Sequence, residues 1–175
     1  MSFTFSRKEQ EKLKPKIEDF ILEHIDGNTK EIVLDFVAFL RENNMPPKWC
    51  TTNGWTNGFC QVELLKGSVL TVLMHLTRMN EYEEVIMNEG LQDLICGNVF
   101  YCAHDPKSPL AGKGCNPKKR CAYGRKVTVL DKELSGVCPN RPIPVFEFYG
   151  TPDTNTLNSI KRLLELEKMA READK

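Results

Sequence analysis

The chain has 175 residues, 41% of them hydrophobic, with 24 Lys and Arg against 24 Asp and Glu. That length suits one domain with a real core, taken here as residues 1-175. Zero net charge argues against bulk electrostatic binding to nucleic acid or anionic lipid, and no apolar stretch approaches the ~18 residues of a membrane span.

The start, Met1-Ser2-Phe3-Thr4-Phe5-Ser6-Arg7, lacks the apolar core of a signal peptide, so the expected setting is cytoplasmic. Residues 1-45 form a helical N-terminal segment. Leu13, Ile17, Phe20, Ile21, His24 and Ile25 recur at spacings of three and four and make one apolar face. Pro15 sits early, where a kink or a frayed start is expected. Asp26-Gly27 ends this helix. Asn28 is the predicted N-cap of the next, with Glu31 three residues on. Ile32, Phe36, Phe39 and Leu40 form its face, and it stops before Asn43-Asn44 and Pro46-Pro47.

From Lys48 the pattern becomes strand-like. Lys48–Thr52, Gly58–Leu65 and Val69–Leu76 are predicted strands of an antiparallel meander, turning at Asn53-Gly54 and Lys66-Gly67. Short helices follow over Glu81–Asn88 and Leu91–Cys96, then a strand over Val99–Cys102. Residues 102-126 form a Cys- and Lys-rich loop punctuated by Pro106, Pro109, Pro117, Gly112 and Gly114. A hairpin is predicted from Lys126–Leu130 and Glu133–Cys138, then a strand at Val145–Tyr149. A last helix starts at Thr151-Pro152 and carries Leu157, Ile160, Leu163, Leu164 and Leu166 on one face. Helices and strands are segregated rather than alternating. The expected class is α+β: an antiparallel sheet, meander plus later strands, packed by N-terminal and C-terminal helices, with the long Cys-rich loop attached.

Five of the seven cysteines fall between Cys96 and Cys138. In a reducing compartment, clustering favours metal or thiol chemistry over a disulfide framework. Cys102, Cys115, Cys121 and Cys138 are the candidate ligands of a structural zinc, with His104 able to replace one of them. No C-x2-C knuckle is present, and two other readings stay open. The cysteines can be small buried packing residues. Alternatively, Cys115 and Cys121 can act in redox chemistry, their thiolates favoured by Lys118, Lys119 and Arg120. The segment from Cys102 to Lys126 has seven basic residues and one acidic, Asp105, which suits either an anion site or a solvated loop.

Trp49, Trp55, Phe59 and His75 in the meander, with Tyr82 just after it, suggest a small-ligand pocket, against ordinary core and hairpin packing as the alternative. In Val145-Phe146-Glu147-Phe148-Tyr149 the alternation puts Val145, Glu147 and Tyr149 on one face, where Glu147 suits either a cationic ligand held among aromatics or, as the alternative, the solvent side of a half-buried sheet. No G-x-S-x-G, H-E-x-x-H or P-loop pattern occurs, so no complete catalytic motif is present.

The run Cys121-Ala122-Tyr123-Gly124-Arg125-Lys126-Val127-Thr128-Val129-Leu130, continued by Lys132-Glu133-Leu134 and Val137-Cys138, resembles small uncharacterised cysteine-containing bacterial proteins with a cysteine turn before a β-hairpin. The Pro152-Asp153 helix start, with Lys161-Arg162-Leu163-Leu164-Glu165-Leu166, belongs to the same likeness. The order of sheet, helices, sheet and closing helix is similar to GyrI-like domains, the ligand-binding modules of some AraC-type and MerR-type regulators. That likeness implies a strand-borne Glu, here Glu147, in an aromatic pocket that engages cationic small molecules. No helix-turn-helix is recognisable, which points to a stand-alone domain.

The resulting expectation is a small-molecule-binding or sensing domain with a structural zinc site. Its ligand-binding residues are Trp55, His75, Tyr82, Glu147 and Tyr149. The alternative is a thiol-based redox or other cysteine-dependent enzyme. Neither a membrane nor nucleic acid is an expected partner.

Overall fold

The computed structural model describes residues 7–51, 54–65, 69–100, 124–138, 145–150 and 152–173. The fold is α+β, with a five-stranded antiparallel sheet, a separate two-stranded hairpin, and helices from both ends of the chain. Among the described residues no helix is long and apolar enough to cross a membrane.

Three helices open the chain: α1 (Arg7–Leu13), α2 (Ile17–His24) and α3 (Gly27–Glu42). The single predicted first helix is in fact two. Proline lacks the amide hydrogen and disfavours helical backbone in the residue before it. The helix breaks at Lys14, which has φ +41°, and the chain restarts at Ile17. The predicted Asn28 cap is also displaced: Asp26 is the N-cap of α3, and its side chain makes no capping hydrogen bond. Ile17, Phe20 and Ile21 of α2 pack with Val33, Phe36, Val37 and Leu40 of α3 in the core.

The sheet runs β1 (Lys48–Thr51), β2 (Gly54–Thr56), β3 (Cys60–Leu65), β4 (Val69–His75), then β7 (Val145–Tyr149) at the far edge. Strand β2 was not expected. The chain turns again at Asn57-Gly58, where the Asn57 side-chain oxygen accepts from the Phe59 and Cys60 amides, both at 2.9 Å. Register decides which side chains enter the core. Trp55 pairs with Val62, Val62 with Val72, and Val72 with Phe148. Residues directly paired across strands share a face. Trp55, Cys60, Val62, Leu64, Leu70, Val72, Met74 and Phe146 therefore line the face that joins the core. Gln61, Leu73, His75 and Glu147 alternate onto the other face and are half-buried.

After β4 come a 3-10 turn (Met79–Glu81) and two short helices, α4 (Glu83–Asn88) and α5 (Gln92–Gly97). Of the strand expected over Val99–Cys102, residues 101 and 102 lie outside the described residues, and Val99 makes an antiparallel bridge to Phe146. The hairpin of β5 (Arg125–Val129) and β6 (Lys132–Val137) forms as predicted, with Leu130 and Asp131 both left-handed at its tip. The tip docks on α5: Gln92 donates to the Leu130 carbonyl, and Lys132 pairs with Asp93. At the open end, Gly124 (φ +80°) lies so close to Gly136 that an added Cβ would meet its backbone at 2.5 Å.

Helix α6 (Thr154–Ala173) closes the fold, burying Leu157, Ile160, Leu163, Leu164 and Leu166 as its periodicity predicts. It begins at Thr154, two residues past the predicted Pro152 start, with Thr151 outside the described residues. The Asp153 carboxylate accepts the Thr156 amide at 2.8 Å, and that bond holds its carboxyl below the usual range.

Candidate functional site

The structure places Trp55 on one face of the sheet and His75 and Glu147 on the other. Trp55 is 1% exposed, and its Nε1–H donates to the Pro15 carbonyl at 2.8 Å, tying the α1–α2 linker to the sheet. Tyr82 is also buried and donates to Glu167. His75 and Glu147 sit on the opposite sheet face, paired with Val145 and Leu73 respectively, and so are diagonal neighbours. Tyr149 pairs with Thr71 on that same face, and its side chain lies outside what the structure describes. The His75 imidazole is pushed down by burial and then by the Arg171 charge, so its neutral form is favoured.

The polar centre of the molecule is Glu167 on α6, which is fully buried. Its carboxylate accepts from the Thr77 amide at 2.8 Å and hydroxyl at 2.7 Å, the Arg78 amide at 3.0 Å, and Tyr82 at 2.6 Å. Arg171, one turn on, donates Nε to it at 2.6 Å and Nη2 to the His75 carbonyl at 2.6 Å. Burial works to raise the Glu167 carboxyl, but the donors outweigh it and hold it below the usual range. Burial, and then the bond to Glu167, pushes the Tyr82 hydroxyl far above its ordinary value. Both carboxylate oxygens are engaged, so this cluster fastens α6 to the end of β4 and leaves little acceptor capacity for a substrate.

Of the candidate metal ligands, Cys102, Cys115 and Cys121 lie outside the described residues, and His104 does as well. Cys138 is half-buried just beyond β6, and its amide donates to the Phe100 carbonyl at 2.6 Å. Together with the Gly124–Gly136 contact, this sets both Phe100 and Gly124 against the end of β6. Among the described residues no group of three or more His, Cys, Asp and Glu is arranged to hold a metal. Burial pushes the Cys60 thiol up to about 12 and raises Cys96 and Cys50 as well, with Glu63 adding to the effect at Cys50. Thiolate formation is therefore disfavoured at all three.

A hollow lies elsewhere among the described residues. A cleft of about 750 Å³ opens between the α1–α2 linker and the segment that leads into β1. Pro15, Pro46, Pro47 and the Trp49 indole supply its apolar surface. Trp49 pairs with Trp55 across the strands, so both rings stand on the helix side of the sheet. Lys14, Lys16, Lys48 and Arg41 line the cleft with Glu18 and Asp19, four cations against two carboxylates. Arg41 is committed to Glu18 through a two-pronged ion pair, Nε to Oε1 and Nη2 to Oε2 at 2.8 Å. That pair lowers the Glu18 carboxyl, with Lys16 contributing. The Trp49 Nε1–H is sealed from solvent and has no acceptor among the described residues. A second hollow of about 530 Å³ shares Pro46 and Lys48 and continues past Asn44 to Thr56 and Asn57.

Sequence reasoning did not single out this cleft. Its walls come from two short Lys- and Pro-containing stretches some thirty residues apart, and neither carries a motif. The available signals were Trp49, one of the meander aromatics, and the repeated placement of Pro beside Lys in Lys14-Pro15-Lys16 and Pro46-Pro47-Lys48.

No protein-family model matches the chain, and no curated protein or solved structure matches it either.

Proposed function

We propose that the chain is a small-molecule-binding or sensing domain whose ligand occupies the cleft between Lys14–Lys16 and Pro46–Trp49. The observation that carries this reading is the cleft itself. About 750 Å³ falls within the usual range for small-ligand sites, and its apolar rings with a few placed charges match their usual lining. The cationic-ligand expectation rested on Glu147, which is on the far face of the sheet and does not line this cleft.

A structural zinc belongs to the same proposal, in a reducing, cytoplasmic setting. Cys102 follows Phe100 by two residues and Cys121 precedes Gly124 by three. Phe100 and Gly124, the described residues on either side of the segment that holds Cys102, Cys115 and Cys121 in sequence, both lie against the end of β6, where Cys138 sits. Such a metal adds folding free energy by ordering the segment. The thiol-enzyme alternative rests on Cys115 and Cys121, which lie outside the described residues; the raised thiols of Cys50, Cys60 and Cys96 make those three poor nucleophiles in its place.

A thermal-shift screen of small metabolites on wild type and Lys48→Glu tests the ligand reading. A cleft ligand at a hundred times its Kd stabilises by about 2.7 kcal/mol. Hits whose stabilisation disappears in Lys48→Glu support the proposal. A screen without hits, or hits indifferent to Lys48→Glu, contradicts it. Metal analysis with thiol counting tests the zinc. One zinc per chain, with four thiols protected until a chelator is added, is expected. Metal-free protein with all thiols reactive contradicts it.

A further inference from the structure

We propose that the ligand of the cleft is a small aromatic anion, its ring against Trp49 and the prolines and its charged group between Lys14 and Lys48. This inference rests on the cleft being the binding site.

The charges are not equivalent. Arg41 and Glu18 neutralise one another in their two-pronged pair, and Lys16 adds to the field that holds Glu18 ionised. Lys14 and Lys48 make no ion pair among the described residues, and they come from the two separate segments that form the cleft. Asp19 is the one carboxylate left against them. A cleft with surplus cations attracts an anion and repels a cation, and partial enclosure strengthens both effects. A lone ammonium ligand would face Lys14, Lys16 and Lys48 with only Asp19 to receive it.

The rest of the lining selects the ligand's body. The indole of Trp49 and the rings of Pro15, Pro46 and Pro47 are rigid and flat-sided, so they lose little conformational freedom when a planar ring packs on them.

Isothermal titration with benzoate, phenyl phosphate, benzyl alcohol and benzylamine tests the class, using wild type and the double variant Lys14→Gln/Lys48→Gln. Both lysines are exposed, so the variant should fold as wild type does, which its melting temperature checks. The expected result is that at least one anion binds about tenfold or more tighter than benzyl alcohol, and that the double variant loses about tenfold of that affinity. Benzoate against phenyl phosphate separates a carboxylate from a phosphate ester. Benzyl alcohol or benzylamine binding as tightly as either anion overturns the anionic class while leaving the small-molecule reading intact. Anion binding unchanged in the double variant also overturns the inference. Binding by none of the four overturns both the inference and the cleft reading beneath it.

Discussion

The Tyr82 hydroxyl donates to the buried Glu167 carboxylate across 2.6 Å, joining the turn after β4 to the last helix. Thr77 and Arg78 present their amides to the same carboxylate, so the corner of the chain from Thr77 to Tyr82 is folded around one side chain of α6. Removing that carboxylate leaves two amides, two hydroxyls and a guanidinium without their acceptor. Glu167→Gln is expected to destabilise the protein by about 2–4 kcal/mol, and Tyr82→Phe by about 1–3 kcal/mol. Urea unfolding measures both, and a Glu167→Gln variant as stable as wild type would contradict the role.

The same carboxylate predicts a pH dependence. Its folded pKa is depressed below the free Glu value of ~4.3. A group of this kind contributes stability that is complete above the unfolded pKa and is lost as pH falls through the folded one. The stability gap between wild type and Glu167→Gln should be constant from pH 7 to about 5 and shrink below that. Other lowered carboxyls, Glu18 and Asp153 among them, contribute to acid unfolding of both proteins and cancel in the difference.

Two glycines separate backbone strain from crowding. Gly58 has φ +85° with nothing within 4 Å of an added Cβ, so Gly58→Ala should cost only the left-handed penalty of about 1–2 kcal/mol. Gly124 has a similar φ, but its added Cβ would meet Gly136 backbone at 2.5 Å. Gly124→Ala should cost clearly more and open the base of the β5–β6 hairpin. Amide exchange at Arg125 and Val137, which are paired in the register, reports that opening.

Cysteine labelling should follow burial. Cys50 is exposed on edge strand β1, whereas Cys60 is fully buried with its thiol raised to about 12. Alkylation of native protein at pH 8, read peptide by peptide, should modify Cys50 and spare Cys60 until the chain is unfolded. Rapid native modification of Cys60 would show that the core opens locally there.

The class and most elements were legible because hydrophobic period is a strong signal: the α6 stripe, the β3–β4 pair and the β5–β6 hairpin all appear where the pattern put them. Strand β2 was not legible. Its three residues, Gly54–Thr56, lie between two Asn-Gly pairs and are too few to alternate, so the stretch resembled one long turn. Glu167 was hidden for a different reason. A glutamate beside Leu166 suggests the wet side of a helix, and only tertiary contacts from Thr77, Arg78 and Tyr82 make burial tolerable. The cleft depends on Trp55 holding Pro15 across forty residues of sequence, a contact no local pattern contains. Trp55 and Tyr82 were chosen as aromatic and polar ligand residues. Their polar atoms are instead bound to Pro15 and Glu167.

The most direct test of the account is a two-dimensional amide and indole NMR spectrum recorded with and without benzoate and phenyl phosphate. Two tryptophans give two indole N–H signals. The account predicts movement of the Trp49 indole and of the Lys14, Lys16 and Lys48 amides, with His75 and Glu147 unmoved. Shifts confined to His75, Glu147 and their neighbours on the other sheet face would contradict the cleft as the binding site.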